Sequence, residues 1–229
     1  PSDPDATYRF KYDDNQGYVA NVIETFDNNN SVIKGYDYQQ NIHSDQQFCE
    51  KTINKVGNDN SVNPENKDQD QDFNLIQAFI DGTYYSFALA KEAISKGIML
   101  IPGELTGRKP SSDKMSYYNS FKIDEGKEAI TECANGNKPI YTEKNDDTNT
   151  YYALFEKENC HNCPYQKECR IVQNKDVNSV SFTEKRYQTD KLREKMGTDE
   201  YAELTNQRAA IEGIPSVFRR KYNVDHMPV

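Results

Sequence analysis

Two sets of side chains in this sequence have types and spacing that could do chemistry, a group of cysteines and a few carboxylates. Cys160 and Cys163 form a C-x2-C pair around His161 and Asn162, Cys169 follows, and Cys133 lies upstream in the run Cys133-Ala134-Asn135-Gly136. Four thiolates make a closed tetrahedral shell for a soft cation, so Cys133, Cys160, Cys163 and Cys169 predict a Zn²⁺ site. Their spacing differs from the C-x2-C-x2-C-x3-C run of ferredoxins, which leaves an iron–sulfur cluster of another spacing open. His161 is an alternative ligand. The competing reading is ordinary buried thiols, against which stands the crowding of three cysteines into residues 160–169. Cys49, with no cysteine near it in sequence, is expected in the core of a helix.

The carboxylates are Asp81 and Glu212. Asp81 closes the apolar run Phe73–Ile80 just ahead of a helical pattern, and open α/β sheets gather ligand and catalytic groups at that end of a strand. Asp81-Gly82 is equally good as a plain turn. Arg208, Glu212, Ser216 and Arg219 recur at spacings of four, four and three, which places them on one polar helix face. Arg219-Arg220-Lys221 beside them is a dense basic cluster. A solvated face with an Arg208–Glu212 pair, worth a few tenths of a kcal/mol, accounts for the same spacing.

The elements that must hold these groups follow from periodicity and caps. Gly17–Phe26 alternates with apolar residues on both faces, Asp27-Asn28-Asn29-Asn30 is turn chemistry, and Ser31–Gln39 is the return strand of a hairpin. Ser44 and Gln47 make a capping box for a helix with a Cys49, Ile53, Val56 stripe and a stop at Gly57. Phe73–Ile80 is a strand. Thr83 is the expected cap of a helix to about Lys96, with Gly97 as its stop, and Ile98–Ile101 is a further strand. Near the end, Thr198 is expected to cap a helix starting at Asp199-Glu200, and Pro215 to break it just after Glu212. Hairpin, helix, strand, helix, strand in that order predicts an α/β fold, a mixed sheet flanked by helices.

Composition bounds the rest. The 229 residues are enough for one medium domain or two small ones, and a mean hydropathy of −0.98 is very polar, yet 16 Tyr and 10 Phe exceed what a disordered chain carries. No apolar stretch approaches membrane-spanning length, so no membrane partner is expected. An odd number of cysteines argues against a disulfide framework. The formal charge of −9 argues at first against nucleic acid, since phosphate contacts need Lys and Arg. The charge is uneven, however. Residues 1–160 carry 16 basic and 27 acidic side chains, against 12 and 10 in 161–229, and an acidic low-complexity loop, 57–72, accounts for part of the excess.

Several segments together resemble a known family. FIDGTYYSFALAKEAISKGIMLIPGELTGRKP, CANGNKP, CHNCPYQKEC and NQRAAIEGIPSVFRRKYNVDHMPV are similar to bacterial insertion-sequence transposases with a DDE active site, and PSDPDATYRFK and GYVANVIETFD resemble the segment after that family's first catalytic strand. The resemblance implies a ribonuclease H-like mixed sheet flanked by helices. It implies Asp81 as the second catalytic carboxylate and Glu212 as the third, holding Mg²⁺ or Mn²⁺. Cleavage of transposon ends and strand transfer to target DNA follow as the implied reaction. It further implies double-stranded DNA as partner, assembly as a homodimer on paired ends, and a cytoplasmic, nucleoid-associated protein. Arg208, Arg219, Arg220 and Lys221 are then expected phosphate contacts, with Arg108 and Lys109 in the loop Gly107–Ser116 a weaker set.

On this reading residues 1–131 form the first part of the catalytic core, 132–190 a cysteine-rich metal-binding insertion, and 191–229 the C-terminal helical part of the core. The family's first catalytic Asp lies on a strand upstream of the segment matching PSDPDAT. Asp3 and Asp5 do not take its role, so the chain is expected to lack that strand and to be inactive alone. Two rival classes exist. One is an iron–sulfur DNA nuclease using Asp113 and the Glu125-Gly126-Lys127 motif, which leaves RAAIEG unexplained. The other is a non-catalytic, metal-stapled DNA-binding remnant.

Overall fold

A computed structural model describes residues 4–11, 13–27, 30–59, 75–107, 118–124, 126–206 and 213–222. The chain divides into two compact units, Pro1–Thr106 with Glu203–Val229, and Gly107–Ala202. Both combine strands and helices, so the mixed α/β class holds. Among the described residues no helix is long and apolar enough to cross a membrane.

In the first unit β1 (Thr7–Lys11), β2 (Asp13–Asp27) and β3 (Asn30–Gln40) form an antiparallel sheet in the order β1-β2-β3. The predicted hairpin is β2–β3, with a register shift between Ile23 and Glu24. β1 was not anticipated. α1 (Asp45–Asp59) starts at the predicted capping box: Ser44 Oγ accepts from Gln47 N at 3.2 Å while Gln47 Oε1 accepts from Ser44 N at 2.8 Å. It is tied to the sheet by Asn21 to Thr52 and Lys51 to Asp37. Among the described residues α1 covers one face of the hairpin in this way. Among the described residues the opposite face keeps Tyr36 and Tyr38 exposed, with Tyr38 stacked on Tyr18 at 4.8 Å.

The expected stop of α1 at Gly57 is not observed, since the helix runs to Asp59. A Cβ on Gly57 would stand 3.0 Å from Lys96 Cβ, so this glycine serves the approach of α1 to the end of α2 (Phe87–Ser95) instead. β4 (Ile76–Ile80) and β5 (Ile98–Pro102) pair in parallel, joined through α2. Cys49 and Ile53 of α1, Leu89 and Ala93 of α2, and Ile98 and Leu100 of β5 make one core. Each large aliphatic side chain there contributes roughly 2 kcal/mol of hydrophobic stabilisation. The antiparallel and parallel strands are hydrogen-bonded as separate sheets rather than one mixed sheet, and Phe26 meets Phe79 between them at 5.6 Å.

The second unit holds a hairpin, β6 (Lys122–Asp124) with β7 (Ala129–Glu132), and an antiparallel sheet. That sheet is ordered β10-β11-β9-β8, from Val172–Gln173, Val177–Thr183, Thr150–Glu156 and Tyr141–Asn145. Strict alternation along β9 and β11 turns Tyr151, Ala153, Phe155, Val180 and Phe182 inward, where they pack with Phe121, Ile130 and Tyr187. A short α3 (Lys157–His161) follows β9. α4 (Glu184–Met196) is capped by Thr183, and Tyr187 from it donates its hydroxyl to the Phe121 carbonyl at 3.1 Å. Thr198 caps α5 (Asp199–Asn206) as expected, accepting from Tyr201 N at 3.3 Å. The last helix, α6 (Gly213–Tyr222), belongs to the first unit and begins next to Glu212 in sequence, so Pro215 lies in its first turn, where a missing N–H costs little.

Candidate functional site

Asp81 follows β4 directly, and the turn it begins is built by close packing. Tyr84 N donates to the Asp81 carbonyl at 3.0 Å and Tyr85 N to the Gly82 carbonyl at 3.3 Å, while Gly103 N donates to the Ile80 carbonyl at 3.1 Å. A Cβ on buried Gly82 would lie 2.0 Å from the Glu104 carbonyl oxygen, so only glycine lets the two strand ends approach this closely. The Asp81 carboxylate is exposed, and its Oδ1 accepts from both the amide and the hydroxyl of Thr83, each at 2.9 Å.

That pair of hydrogen bonds from Thr83 corrects the expected helix cap. Thr83 is engaged by Asp81, and Ser86 caps α2 instead, its Oγ accepting from Leu89 N at 3.2 Å. Tyr84 stands beside this turn. Burial pushes its phenol up to about 12, with the negative charges of Asp45 and Asp81 adding to the effect.

Arg219, Arg220 and Lys221 occupy the last turn of α6 and are exposed, with Arg220 Nε donating to the Ser216 carbonyl at 3.3 Å. Cations there complement the helix dipole. Arg208, Glu212, Arg108 and Lys109 lie outside the described residues, and with them the Asp81–Glu212 pairing. Asp3, Asp113, Glu125 and residues 60–72 of the acidic loop also lie outside. Gly126 N and Lys127 N both donate to Asp124 Oδ1, at 2.9 and 3.1 Å, which gives that segment the bonding of a tight turn.

Cysteines converge in the second unit. Cys133, Cys160, Cys163 and Cys169 line one small cavity with Phe155, Ile171 and several polar loop residues. Three turns bring them there. Gly136, at φ +77°, donates to the Cys133 carbonyl at 2.9 Å, Cys163 N to the Cys160 carbonyl at 3.3 Å, and Cys169 N to the Tyr165 carbonyl at 2.7 Å. Burial raises the Cys160 thiol pKa, a hydrogen bond with Asn178 counteracts it, and Cys133 and Cys163 add to the rise. Cys169 is likewise raised by burial first, then by the other three thiols, against a bond from the Ile171 backbone. All five cysteines are free thiols, and Cys49 is buried in the first core as expected. His161 is exposed. As the side chains stand, no three His, Cys, Asp or Glu among the described residues present a metal-holding group.

Asn178 was not singled out by the sequence. It is 1% exposed on β11, and its Oδ1 has no hydrogen-bond partner among the described residues. The available signal was its register: Asn178 shares the inward face with Val180 and Phe182, and a polar residue on a buried face needs a partner.

No curated protein and no solved structure matches the chain significantly. Residues 132–229 match the family model of the transposase DDE domain. The matched stretch runs through the four cysteines, the Arg208–Glu212 segment and α6, while Asp81 precedes it. The match supports a transposase, an enzyme whose substrate is DNA.

Proposed function

We propose that this chain carries catalytic residues of a bacterial insertion-sequence transposase of ribonuclease H-like architecture, which cleaves double-stranded DNA at transposon ends and transfers the freed strand to target DNA. The observation that carries the reading is the match of residues 132–229 to the transposase DDE domain, a stretch that includes Glu212 and the basic end of α6. Asp81 supports it from the other side. It is an exposed carboxylate at the C-terminal end of a parallel strand, on a turn that only glycine allows.

Transposase DDE domains use divalent metal ions. Mg²⁺ or Mn²⁺ suits Asp81 and Glu212, because hard cations take oxygen ligands. When bound, a pair of such ions stabilises the attacking and leaving oxygens of an in-line phosphoryl displacement. Thr83 fixes the Asp81 carboxylate through Oδ1, so its orientation is set before any ligand arrives. Arg219, Arg220 and Lys221, with Arg208, hold the DNA backbone through its phosphates. Work on paired ends fits a homodimer, and the DNA substrate fits a nucleoid location.

The test is mobilisation of a marker flanked by the element's own ends, with the substitutions made in the element's intact transposase gene. Asp81→Asn keeps an acceptor for Thr83 while removing the charge, so it separates chemistry from folding. Both Asp81→Asn and Glu212→Gln are expected to abolish excision and integration, and mobilisation at the wild-type level by either variant sinks the assignment.

A further inference from the structure

We propose that Cys133, Cys160, Cys163 and Cys169 bind one zinc ion in the cavity they line, with Asn178 positioning the Cys160 sulfur. The site lies in the second unit and is independent of the carboxylate chemistry of Asp81.

Cys133 and Cys160 are far apart in sequence, yet the backbone brings both to the same cavity, together with the C-x2-C partner Cys163 and with Cys169. The enclosed space of about 20 Å³ has room for one occupant of atomic size. Phe155 and Ile171 give it an apolar wall, and Cys133, Cys160 and Cys169 pack against the hydrophobic core. Four sulfur donors are soft ligands, and tetrahedral thiolate shells select zinc over the hard cations that carboxylates prefer.

Asn178 is the second, independent observation. An amide buried to 1% exposure on a sheet face is costly unless it has a task. Its side-chain amide lies beside Cys160, where a donor can hold a ligating sulfur in place.

Because no three of the thiols now meet at one point, closing the shell requires rotation about their Cα–Cβ bonds, while the turns that carry them already stand together. Each thiol that joins the shell gives its proton to solvent, so binding is tighter at higher pH. The consequence is mechanical. A bound ion fastens the loop after β7 to the segment after β9, and both to the core beneath them.

The full chain, purified with its thiols reduced and titrated with zinc alone, should retain one zinc per chain after gel filtration. Cobalt in place of zinc should give the visible and near-ultraviolet bands of a tetrahedral thiolate site. Asn178→Ala should leave the stoichiometry unchanged and weaken affinity by roughly 10–100-fold. Cys49→Ser should change nothing, and Cys160→Ser should remove the tetrahedral spectrum. Failure of the wild-type chain to retain zinc overturns the proposal. So does an octahedral cobalt spectrum, stoichiometric iron with acid-labile sulfide, or Asn178→Ala that binds as tightly as wild type.

Discussion

Replacing Gly82 with Ala probes the packing that holds Asp81. The added Cβ would lie 2.0 Å from the Glu104 carbonyl oxygen, where ordinary contact begins at 3.4 Å, and the obstacle is backbone rather than the end of a flexible side chain. The two segments must therefore separate by more than about 1 Å, and the nearby bonds from Gly103 N to Ile80 O and Tyr85 N to Gly82 O are stretched with them. Overpacking of this kind costs about 1–3 kcal/mol. One weakened backbone bond adds about 1 kcal/mol. The expected loss is thus about 2–4 kcal/mol, a fall of roughly 1–2 M in the urea midpoint at a typical slope for a small domain. Circular dichroism gives that midpoint, and hydrogen exchange of peptides spanning 76–103 reports whether the loss is local to β4 and β5. Gly126→Ala is the control, since its Cβ would meet only Asp124 Oδ1 at 3.4 Å, and it should stay within about 0.5 kcal/mol of wild type. Equal midpoints for the two variants would refute the close approach, and with it the argument that Asp81 is held by packing.

Other perturbations have equally definite outcomes. Ser44→Ala should cost about 1 kcal/mol by loss of the reciprocal bonds with Gln47, while Ser44→Gly costs only a few tenths, a contrast that urea titration resolves. Burial pushes the Cys49 thiol up to about 11, so above the ordinary thiol pKa the unfolded chain releases a proton that the folded chain keeps. Stability should fall as pH rises from about 9 to 11, and Cys49→Ala should flatten that decline; an unchanged slope contradicts the assignment. Changing Arg219, Arg220 and Lys221 together to Gln should weaken DNA binding evenly across sequences. It should also reduce the slope of log affinity against log salt by about 3, and a slope that does not move places the DNA elsewhere.

What was legible in the sequence is local. The capping box at Ser44, the cap at Thr198, the β2–β3 hairpin, the strand segments 76–80 and 98–102 and the core position of Cys49 all show in patterns a few residues long, and they stand in the fold much as those patterns imply. Two equally local signals misled. Thr83 has a capping side chain, but Asp81 two residues before it claims both of its donors, so the cap passes to Ser86. Gly57 carries a stop signal, but helix propensity is weak beside packing, and α1 continues past it against Lys96.

The amino-acid sequence by itself determined which groups are available: soft sulfur donors at knuckle spacing, carboxylates in two separate motifs, and a basic cluster at a helix end. Tertiary structure alone decided which of them meet. Cys133 joins the cysteines 27 residues and more downstream only because β7, α3 and the turns beyond them converge beside the same core. Gly82 is indispensable only because Glu104 returns to it after a helix and a strand. Asn178, unremarked as a letter in the sequence, acquires a role when β11 pairs with β9 and buries it beside Cys160. The physical reason is the same throughout. Caps and turns are satisfied by atoms within four residues, whereas close approach and ligand convergence depend on how distant segments pack, which no local pattern encodes.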